Sequence, residues 1–376
     1  MRGPTAASIH KNKDGRKSTR GRFRRRSVKT ISLHRAVFWV VAAVGATLPA
    51  FGTGIVFTCN TNIDATHGGT CGTLNTTIAN LYSSTFSDAN ASIYIQYGST
   101  GLGSSLQYYT DFTYSSYYAA LAANESGAND VTAVNSLGGG TNNPVASGSG
   151  VAVTSALAGA LGLAGFTYGI STATNNPTCA LGTAGCYNGI ITISNGAALN
   201  YRDSTLQSSQ YDFYSTVEHE VDEILGTSSC IATVGSAPGL SDNCKNYGNT
   251  SANGVGAADL FRYSAPAARS YISQGNGTPA YFSINGGTTN IAEYNNSTNG
   301  ADYGDWNSAL LRVQNAYATN GAGPVDITTD GGSEIMVLDA VGYNLAEVPE
   351  PGTVVLLGSS LATLAGLRLR RRNRRS

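Results

Sequence analysis

The sequence predicts an α+β fold with a mixed sheet, one long amphipathic helix and a loop-rich C-terminal region. Segments in which apolar residues alternate, such as Ala91–Tyr97, lie between segments in which they recur at helical spacing. This order is typical of domains that pack helices against a sheet. Beyond Gly226 the chain is rich in Gly, Asn, Ser and Thr, and only short strands such as Ala280–Ile284 are predicted there.

The individual elements are predicted from apolar spacing and from the Gly-rich breaks between them, of which Gly138–Gly150 is a clear loop. The predicted helices are Leu74–Ser84, the segments around Tyr117–Leu121 and Asp130–Leu137, Val151–Leu163 and Gln207–Leu225. The predicted strands are Ala91–Tyr97, Asn188–Ser194 and Ala280–Ile284.

The N-terminal end is predicted to be an export signal spanning residues 1–50. Residues 1–35 hold twelve of the 23 Lys and Arg residues, and an apolar run follows from Ala36 to Ala50. A basic segment, a short apolar run and small residues near its end are typical of a secretory signal. The run is short for a membrane span, which needs about 20 residues. The pair Arg25-Arg26 leaves a twin-arginine export route open.

The C-terminal end, residues 347–376, has three parts in a fixed order. Pro349-Glu350-Pro351 precedes an apolar run from Val354 to Leu367, and six arginines follow. This tail resembles the PEP-CTERM sorting signal of Gram-negative bacteria. The resemblance implies transient anchoring by a short membrane helix, cleavage by an exosortase-type enzyme, and a final place at the cell surface or in the extracellular matrix. A plain tail anchor is the alternative.

The region between the two ends is acidic. Residues 51–347 contain five Lys or Arg against 21 Asp or Glu, a formal net charge of −16. Nucleic-acid binding needs basic patches and is therefore excluded as a function. The predicted main domain, residues 51–346, is long enough for one sizeable domain or two small ones.

All six cysteines lie in this domain as three close pairs: Cys59 and Cys71, Cys179 and Cys186, Cys230 and Cys244. Six cysteines allow fifteen pairings. Export favours disulfides, and we expect three local bridges. A zinc ribbon is the alternative, although no pair has C-x-x-C spacing.

The segment Ser215–Gly226 contains most of the chemical information in the chain. At helical spacing, Tyr214, Val217, Val221 and Ile224 line one stripe, which predicts a face packed on the core. Four carboxylates within six residues lie near the end of this helix, where the helix dipole disfavours negative charge. Such a cluster indicates a bound cation. The alternative is a solvated acidic face.

Within this segment, His219 and Glu223 have the i, i+4 spacing of the two helical ligands in an H-E-x-x-H zinc site, with glutamate in place of the second histidine. Glu220 occupies the position of the general base. The sequence therefore predicts one zinc ion, or another divalent metal, held by His219 and Glu223 beside Glu220.

Several segments together resemble a family of secreted, PEP-CTERM-bearing zinc metalloproteases of bacteria, in which an H-E-x-x-E form recurs. The segments that carry the resemblance are Gly189–Ser194, His219–Gly226, Ala258–Pro266, Tyr281–Gly287, Gly304–Trp306 and Met336–Tyr343. The resemblance implies a zincin- or metzincin-like catalytic domain and zinc-dependent hydrolysis of peptide bonds. Protein or peptide substrates are then expected, paired with the strand Asn188–Ser194.

The third ligand departs from the metzincin pattern, because Ser229 stands where that ligand is expected. The main domain has two histidines, His67 and His219, so a carboxylate must complete a set of three protein ligands. Asp259 is our first choice. Asp305 and His67 are weaker candidates.

Three further residues are interpreted in the same way. Met336 is the candidate for the methionine turn beneath the zinc, with packing in an apolar core as the alternative. Arg262 and Tyr343 are candidates for contacts with a substrate carbonyl or an oxyanion, and a structural salt bridge is the alternative for Arg262.

Two other classes of function stay open at this point. A surface or biofilm-matrix protein could retain a protease-like fold without catalysis. A calcium-binding adhesive module could use the acidic helix face.

Overall fold

Short strands and helices alternate along the chain in the computed structural model. It describes residues 54–145, 148–172, 178–231, 244, 255–271, 279–297 and 301–347. The predicted export signal and the predicted sorting signal beyond residue 347 lie outside these residues.

The strands of the described residues are listed in chain order. They are β1 (Ile55–Cys59), β2 (Ala91–Gly98), β3 (Gly103–Gln107), β4 (Tyr109–Thr113), β5 (Gly150–Thr154), β6 (Tyr168–Ser171), β7 (Thr178–Ala180), β8 (Cys186–Tyr187), β9 (Gly189–Ser194), β10 (Leu199–Asn200), β11 (Tyr211–Asp212), β12 (Val255–Gly256), β13 (Arg262–Ala265), β14 (Ala268–Arg269), β15 (Tyr281–Phe282) and β16 (Ala292–Glu293).

The helices of the described residues have ten residues or fewer, apart from the 13-residue helix that carries His219. They are α1 (Thr61–Thr66), α2 (Thr70–Thr73), α3 (Ala79–Thr85), α4 (Tyr114–Ala123), α5 (Ala128–Leu137), α6 (Ser155–Ala160), α7 (Phe213–Leu225) and α8 (Ser333–Val341). A π-helical turn, Leu74–Ile78, joins α2 to α3, and a 3₁₀ turn covers Ala258–Phe261.

The predicted mixed sheet is confirmed, with strand order β1-β2-β9-β3. Strands β1, β2 and β9 run parallel, and β3 pairs antiparallel with β9 at the edge. The strand predicted at Asn188–Ser194 is confirmed as β9. Because β9 has neighbours on both sides, it cannot pair with an extended substrate. The free edge nearest to α7 belongs to β3, and the two elements pack together.

Smaller sheets surround this one. A three-stranded sheet has the order β12-β5-β4, and a second has the order β7-β6-β8. The C-terminal region contains the antiparallel sheet β14-β13-β15-β16, followed by long loops and α8. Helix α8 packs against α5 and α7. The fold is therefore α+β, with a loop-rich C-terminal region as predicted.

Helix α7 begins six residues later than predicted from Gln207. The side chain of Asp212 accepts a hydrogen bond from the backbone N–H of Ser215 at 2.7 Å, which satisfies one of the free donors of the first turn. Arg202 holds Asp212 through two nitrogens, at 3.0 and 2.9 Å. The preceding residues pair instead as β11 with β10. Gly226 ends the helix at φ 132°, a backbone conformation that favours glycine.

The helix predicted over Val151–Leu163 is wrong in its first half. Residues Gly150–Thr154 form β5, which pairs with β4 on one side and with β12 on the other, and all five residues are buried. A strand buried on both faces is a continuous apolar run, which periodicity cannot distinguish from a buried helix. Helix α6 then begins after Thr154, whose side chain accepts a hydrogen bond from Leu157.

The other predicted elements are confirmed. The predicted helix Leu74–Ser84 corresponds to the π-helical turn and α3, Tyr117–Leu121 lies in α4, Asp130–Leu137 lies in α5, Ala91–Tyr97 lies in β2, and Ala280–Ile284 contains β15.

The three predicted disulfides are also confirmed, at Cys59–Cys71, Cys179–Cys186 and Cys230–Cys244. Within the described ranges, no helix has both the length and the apolar character needed to cross a membrane. One large apolar cluster joins the inner faces of β1, β2 and β9 to α7 and α8. That core holds the polar side of α7 in a fixed orientation.

Candidate metal centre

The apolar stripe of α7 lies in the core as predicted. Val217, Val221 and Ile224 are fully buried, and Tyr214 is nearly so. Glu218 and Asp222 are also fully buried, and Glu220 is 4% exposed. The alternative of a solvated acidic helix face is therefore wrong.

The two fully buried carboxyls have structural partners. Glu218 Oε2 accepts a hydrogen bond from the backbone N–H of Ile327 at 3.1 Å, and Asp222 Oδ1 accepts one from the Tyr82 hydroxyl at 2.6 Å. Burial raises the pKa of both carboxyls well above the usual value. They hold α7 to its neighbours and do not line the cleft.

The other side of α7 forms a cluster of three metal-ligating groups: His219, Glu223 and Asp305. One ligand atom from each lies within 4.8 Å of the other two. His219 Nε2 is 3.9 Å from Glu223 Oε1 and 3.6 Å from Asp305 Oδ1. This is the one such group among the residues that the structure describes.

The tautomer of His219 follows from its second nitrogen. His219 Nδ1 lies 3.0 Å from the carbonyl oxygen of Val313, so Nδ1 carries a proton, and in the neutral ring Nε2 carries the lone pair. A backbone carbonyl behind the imidazole is a common way of orienting a histidine ligand in metal sites. Nε2 is the atom that points at Glu223 and Asp305.

Asp305 is held in the cluster by the C-terminal loops. Its backbone oxygen accepts a hydrogen bond from Asn295 at 2.6 Å. The next residue, Trp306, is buried and donates its indole N–H to Glu334 Oε1 at 2.8 Å. The loop position of Asp305 is therefore anchored on both sides by buried groups.

Glu223 and Glu220 both contact the edge strand β3. The hydroxyl of Ser105 donates a short hydrogen bond to Glu223 Oε2. Glu220 lies against Gly103 so closely that a Cβ atom at that glycine would be 2.3 Å from Glu220 Oε1. Glycine at 103 therefore gives the Glu220 carboxyl its space beside the cluster.

The electrostatics of the cluster favour a positive charge. Burial alone lowers the pKa of His219, but the nearby charges of Asp305, Glu220 and Glu223 outweigh it and raise that pKa to about 10. Burial, followed by the charge of Glu223, raises the pKa of Glu220 well above its usual value. Burial and Glu223 likewise raise the pKa of Asp302 to about 6.

The three groups fit zinc. Zinc binds histidine nitrogen and carboxylate oxygen at about 2.0–2.2 Å in a tetrahedral arrangement, which places ligand atoms about 3.3–3.6 Å apart. The separations of 3.6 and 3.9 Å are close to this range. Calcium takes six to eight oxygen ligands, so an imidazole with two carboxylates fits it poorly.

The cluster opens into a cleft of about 660 Å³. One wall is β3 with the preceding Gly101 and Leu102, and the other is the loop from Leu311 to Thr319. Leu311 and Tyr317 are 39% and 59% exposed. The cleft therefore lies between an edge strand and a loop that carries two exposed apolar side chains.

Asp259, our first choice from the sequence, lies outside the cluster. Its Oδ2 accepts backbone hydrogen bonds from Cys230 at 2.8 Å and from Gly256 at 2.9 Å, and its Oδ1 accepts one from the Ser229 hydroxyl at 2.6 Å. Both carboxylate oxygens of Asp259 thus accept hydrogen bonds from the segment that follows α7, and one of them also accepts a hydrogen bond from β12. Asp305, a weaker candidate, lies where we expected Asp259.

His67 and Met336 also lie elsewhere. His67 stacks on Tyr201 at 4.1 Å and contacts Asp203 Oδ2 at 3.0 Å. Met336 is half-buried inside α8 and packs against the main core, so it is part of a helix and not of a turn. The alternative of a core methionine is the correct one.

Arg262 and Tyr343 do not line the cleft. The Arg262 guanidinium is fully buried and donates to the carbonyl oxygen of Tyr303 at 2.6 Å, and the Tyr343 hydroxyl donates to that of Leu225 at 2.9 Å. Arg312, which sequence reasoning missed, does line it. Its Nε and Nη1 atoms are buried and have no hydrogen-bond partner among the described residues.

Other site residues were missed as well, including Ser105, Asp302 and Gln314. Asp302 and Asp305, three residues apart in an acidic chain with few charges, were a usable signal. Comparison of the chain with protein-family models, with curated proteins and with solved structures finds no match.

Proposed function

We propose that the protein is a zinc-dependent endopeptidase. One observation carries the proposal. His219, Glu223 and Asp305 converge within 4.8 Å in a cleft, and Glu220 lies beside them. Three protein ligands and a general base are what zinc-assisted hydrolysis needs.

His219 Nε2, Glu223 and Asp305 would hold the ion. When bound, zinc supplies Lewis acidity, which polarises a carbonyl and makes a water molecule easier to deprotonate. Glu220 is our candidate for the general base. It lines the cleft beside the three ligand groups, where it would take a proton from the attacking water and then give it to the leaving amine.

Strand β3 is our candidate for substrate binding. An extended peptide could add to its free edge by main-chain hydrogen bonds, beside Glu220 and Glu223. Leu311 and Tyr317 on the facing loop would contact apolar side chains of the substrate. An open cleft with these two walls suits internal segments of a polypeptide.

Arg312 is our candidate for the contact with a substrate carbonyl. Among the residues that line the cleft in the described part of the chain, it is the one lysine or arginine. A guanidinium with buried nitrogens free of partners can stabilise negative charge that develops on the carbonyl oxygen.

We further propose export followed by sorting to the cell surface, with cleavage near Pro349–Pro351 by an exosortase-type enzyme. The three disulfides support an oxidising compartment. Intact-mass measurement of protein from its native host tests this proposal. A species that still carries residues 368–376 would contradict it.

The enzymatic proposal is tested with Glu220→Gln. This variant should keep its zinc and lose casein digestion by about 10²–10⁴-fold, since the base is removed and the ligands stay. Exposed Glu125→Gln is the matched control and should retain full activity. A wild-type protein without stoichiometric zinc would contradict the proposal and leave an inactive surface or matrix protein.

A further inference from the structure

The side chain of Gln314 contacts the cluster formed by His219, Glu223 and Asp305. Its Nε2 atom is 3.3 Å from His219 Nε2 and 3.0 Å from Asp305 Oδ1. The side chain is 1% exposed. It therefore contacts, within the protein interior, two of the three atoms that would bind a metal.

The amide nitrogen of Gln314 lies where a cation would contact the same two atoms. Gln314 Nε2 donates one hydrogen bond to Asp305 Oδ1. Its second N–H donates to His219 Nε2 when the imidazole ring is neutral, because Nδ1 then keeps its proton toward Val313 and Nε2 carries the lone pair. In that state the amide satisfies lone pairs that a metal would use.

The other end of the same amide has no partner. Gln314 Oε1 is buried and accepts no hydrogen bond from any residue that the structure describes. A buried acceptor without a partner is costly and is found where a further ligand belongs or where strain is stored. Carboxamide oxygens are established metal ligands.

The backbone of Gln314 is held on both sides, so the side chain can turn without moving the chain. Its N–H donates to Glu334 Oε1 at 3.0 Å, and its carbonyl accepts from Trp306 at 2.8 Å. The terminal torsion of a glutamine has a broad, roughly two-fold energy profile. Turning over the amide exchanges the positions of nitrogen and oxygen.

We propose that Gln314 is the fourth protein ligand of the metal. This inference rests on the proposed metal centre. A cation beside His219 and Asp305 repels the N–H groups, so the amide turns over and Oε1 binds the ion. A carboxamide oxygen also makes the donor set harder, which favours Mn²⁺ or Co²⁺ more than a three-ligand site does.

The test compares Gln314→Leu and Gln314→Glu with wild type in the full chain. Zinc affinity is measured by competition with a chelator, and coordination by the visible spectrum of the Co²⁺-loaded protein. Gln107→Leu is the matched control. Gln107 is a buried glutamine that does not contact the cluster directly: its Oε1 lies 2.9 Å from Ser105 Oγ, whose hydroxyl donates to Glu223.

Gln314→Leu should lose more zinc affinity than the roughly 10–100-fold typical for an outer hydrogen-bond partner, and its Co²⁺ spectrum should change. Gln314→Glu should keep wild-type affinity, because it retains an oxygen at the same position. Gln107→Leu should stay within about tenfold and keep the spectrum.

Two results would overturn the inference, and they are distinguishable. If wild type binds zinc and Gln314→Leu binds it as tightly or more tightly with an unchanged spectrum, Gln314 is only a hydrogen-bond donor and the metal centre stands. If wild type binds no zinc, the proposed function fails together with the inference. Circular dichroism of each variant verifies that it is folded.

Discussion

His219 Nε2 lies 3.6 Å from Asp305 Oδ1, although helix α7 carries one residue and a C-terminal loop carries the other. The contact joins helix α7 to the C-terminal loops. The sequence instead ranks Asp259 first as the third candidate ligand, and Asp259 lies outside the cluster.

Asp305→Asn should reduce zinc affinity by at least about 100-fold, because a neutral amide replaces a charged ligand. Asp259→Asn should keep zinc but unfold at a lower temperature. It weakens the acceptor of two backbone N–H groups, at a cost of about 1–3 kcal/mol. Metal analysis and thermal unfolding measure both effects. Zinc retained in Asp305→Asn and lost in Asp259→Asn would restore Asp259 as the ligand.

Gly103→Ala should impair proteolysis and leave zinc bound. The added Cβ would lie 2.3 Å from Glu220 Oε1, so the carboxyl must move away from its position beside the cluster. We expect a fall in kcat that approaches the effect of removing the base, about 10²-fold or more. The control is Gly101→Ala in the same cleft wall, where an added Cβ contacts nothing within 4 Å. Equal kcat values for the two variants would argue against Glu220 as base.

Arg312→Leu should lower kcat by about 10²–10³-fold, the usual cost of removing a group that stabilises an oxyanion. Arg312→Lys should recover part of this loss, because the charge remains while the fork of donors is lost. Steady-state kinetics on a peptide substrate measure the change, with zinc content verified for each variant. Arg262→Lys is unsuitable as a control, since Arg262 is part of the core.

If only KM rises in Arg312→Leu, the arginine binds substrate without stabilising the transition state. If neither constant changes, Arg312 has no part in the reaction.

Asp339→Asn should make the protein less sensitive to alkaline pH. Burial and the adjacent carboxyl of Asp130 raise the pKa of Asp339 to about 8, against about 3.9 in the unfolded chain. The folded state therefore binds this proton more tightly. The stabilisation is complete below about pH 4, falls as pH rises, and is lost above about pH 8.

The measurement is Tm at pH 5 and at pH 8. Wild type should lose more of its Tm between these values than Asp339→Asn does, because the amide carries no proton to release. Glu125→Gln is the exposed control and should follow wild type. Parallel curves for wild type and Asp339→Asn would contradict the assignment.

Removal of the Cys230–Cys244 bridge by a double alanine substitution should impair activity more than removal of Cys179–Cys186. The first bridge closes a loop with a sequence separation of 14 and follows directly after Ser229, whose backbone N–H donates to the Asp302 carboxyl near Glu223. Each bridge is worth about 2–4 kcal/mol. Activity and thermal unfolding of both double variants are the measurements. A larger loss of activity in the Cys179–Cys186 variant would contradict the expectation.

Local patterns were sufficient for the helix that carries the cluster. The stripe of Tyr214, Val217, Val221 and Ile224 predicts which face of α7 is buried, because side chains at helical spacing share one side. The same geometry places His219 and Glu223 together and Glu220 beside them. Gly226 marks the end of the helix for a local reason as well, since its positive φ favours glycine.

The prediction of the fold is wrong where residues distant in sequence decide the local conformation. The residues Gly150–Thr154 are a strand because β4 and β12 pair with them on both sides. The choice between Asp212 and an earlier residue as the start of α7 depends on Arg202, which holds the capping carboxylate in place. Strands β4 and β12 are not adjacent to β5 in sequence, and Arg202 is not adjacent to Asp212.

The sequence by itself determined the secondary structure of most segments, the three disulfides, and the helical half of the candidate site, because each depends on residues a few positions apart. The tertiary structure alone decided that Asp305 joins His219, that Asp259 holds the segment after α7, and that Gly103, Arg312 and Gln314 surround the cluster. These contacts come from distant loops packed on a common core. Their distances depend on the whole fold and on no local pattern.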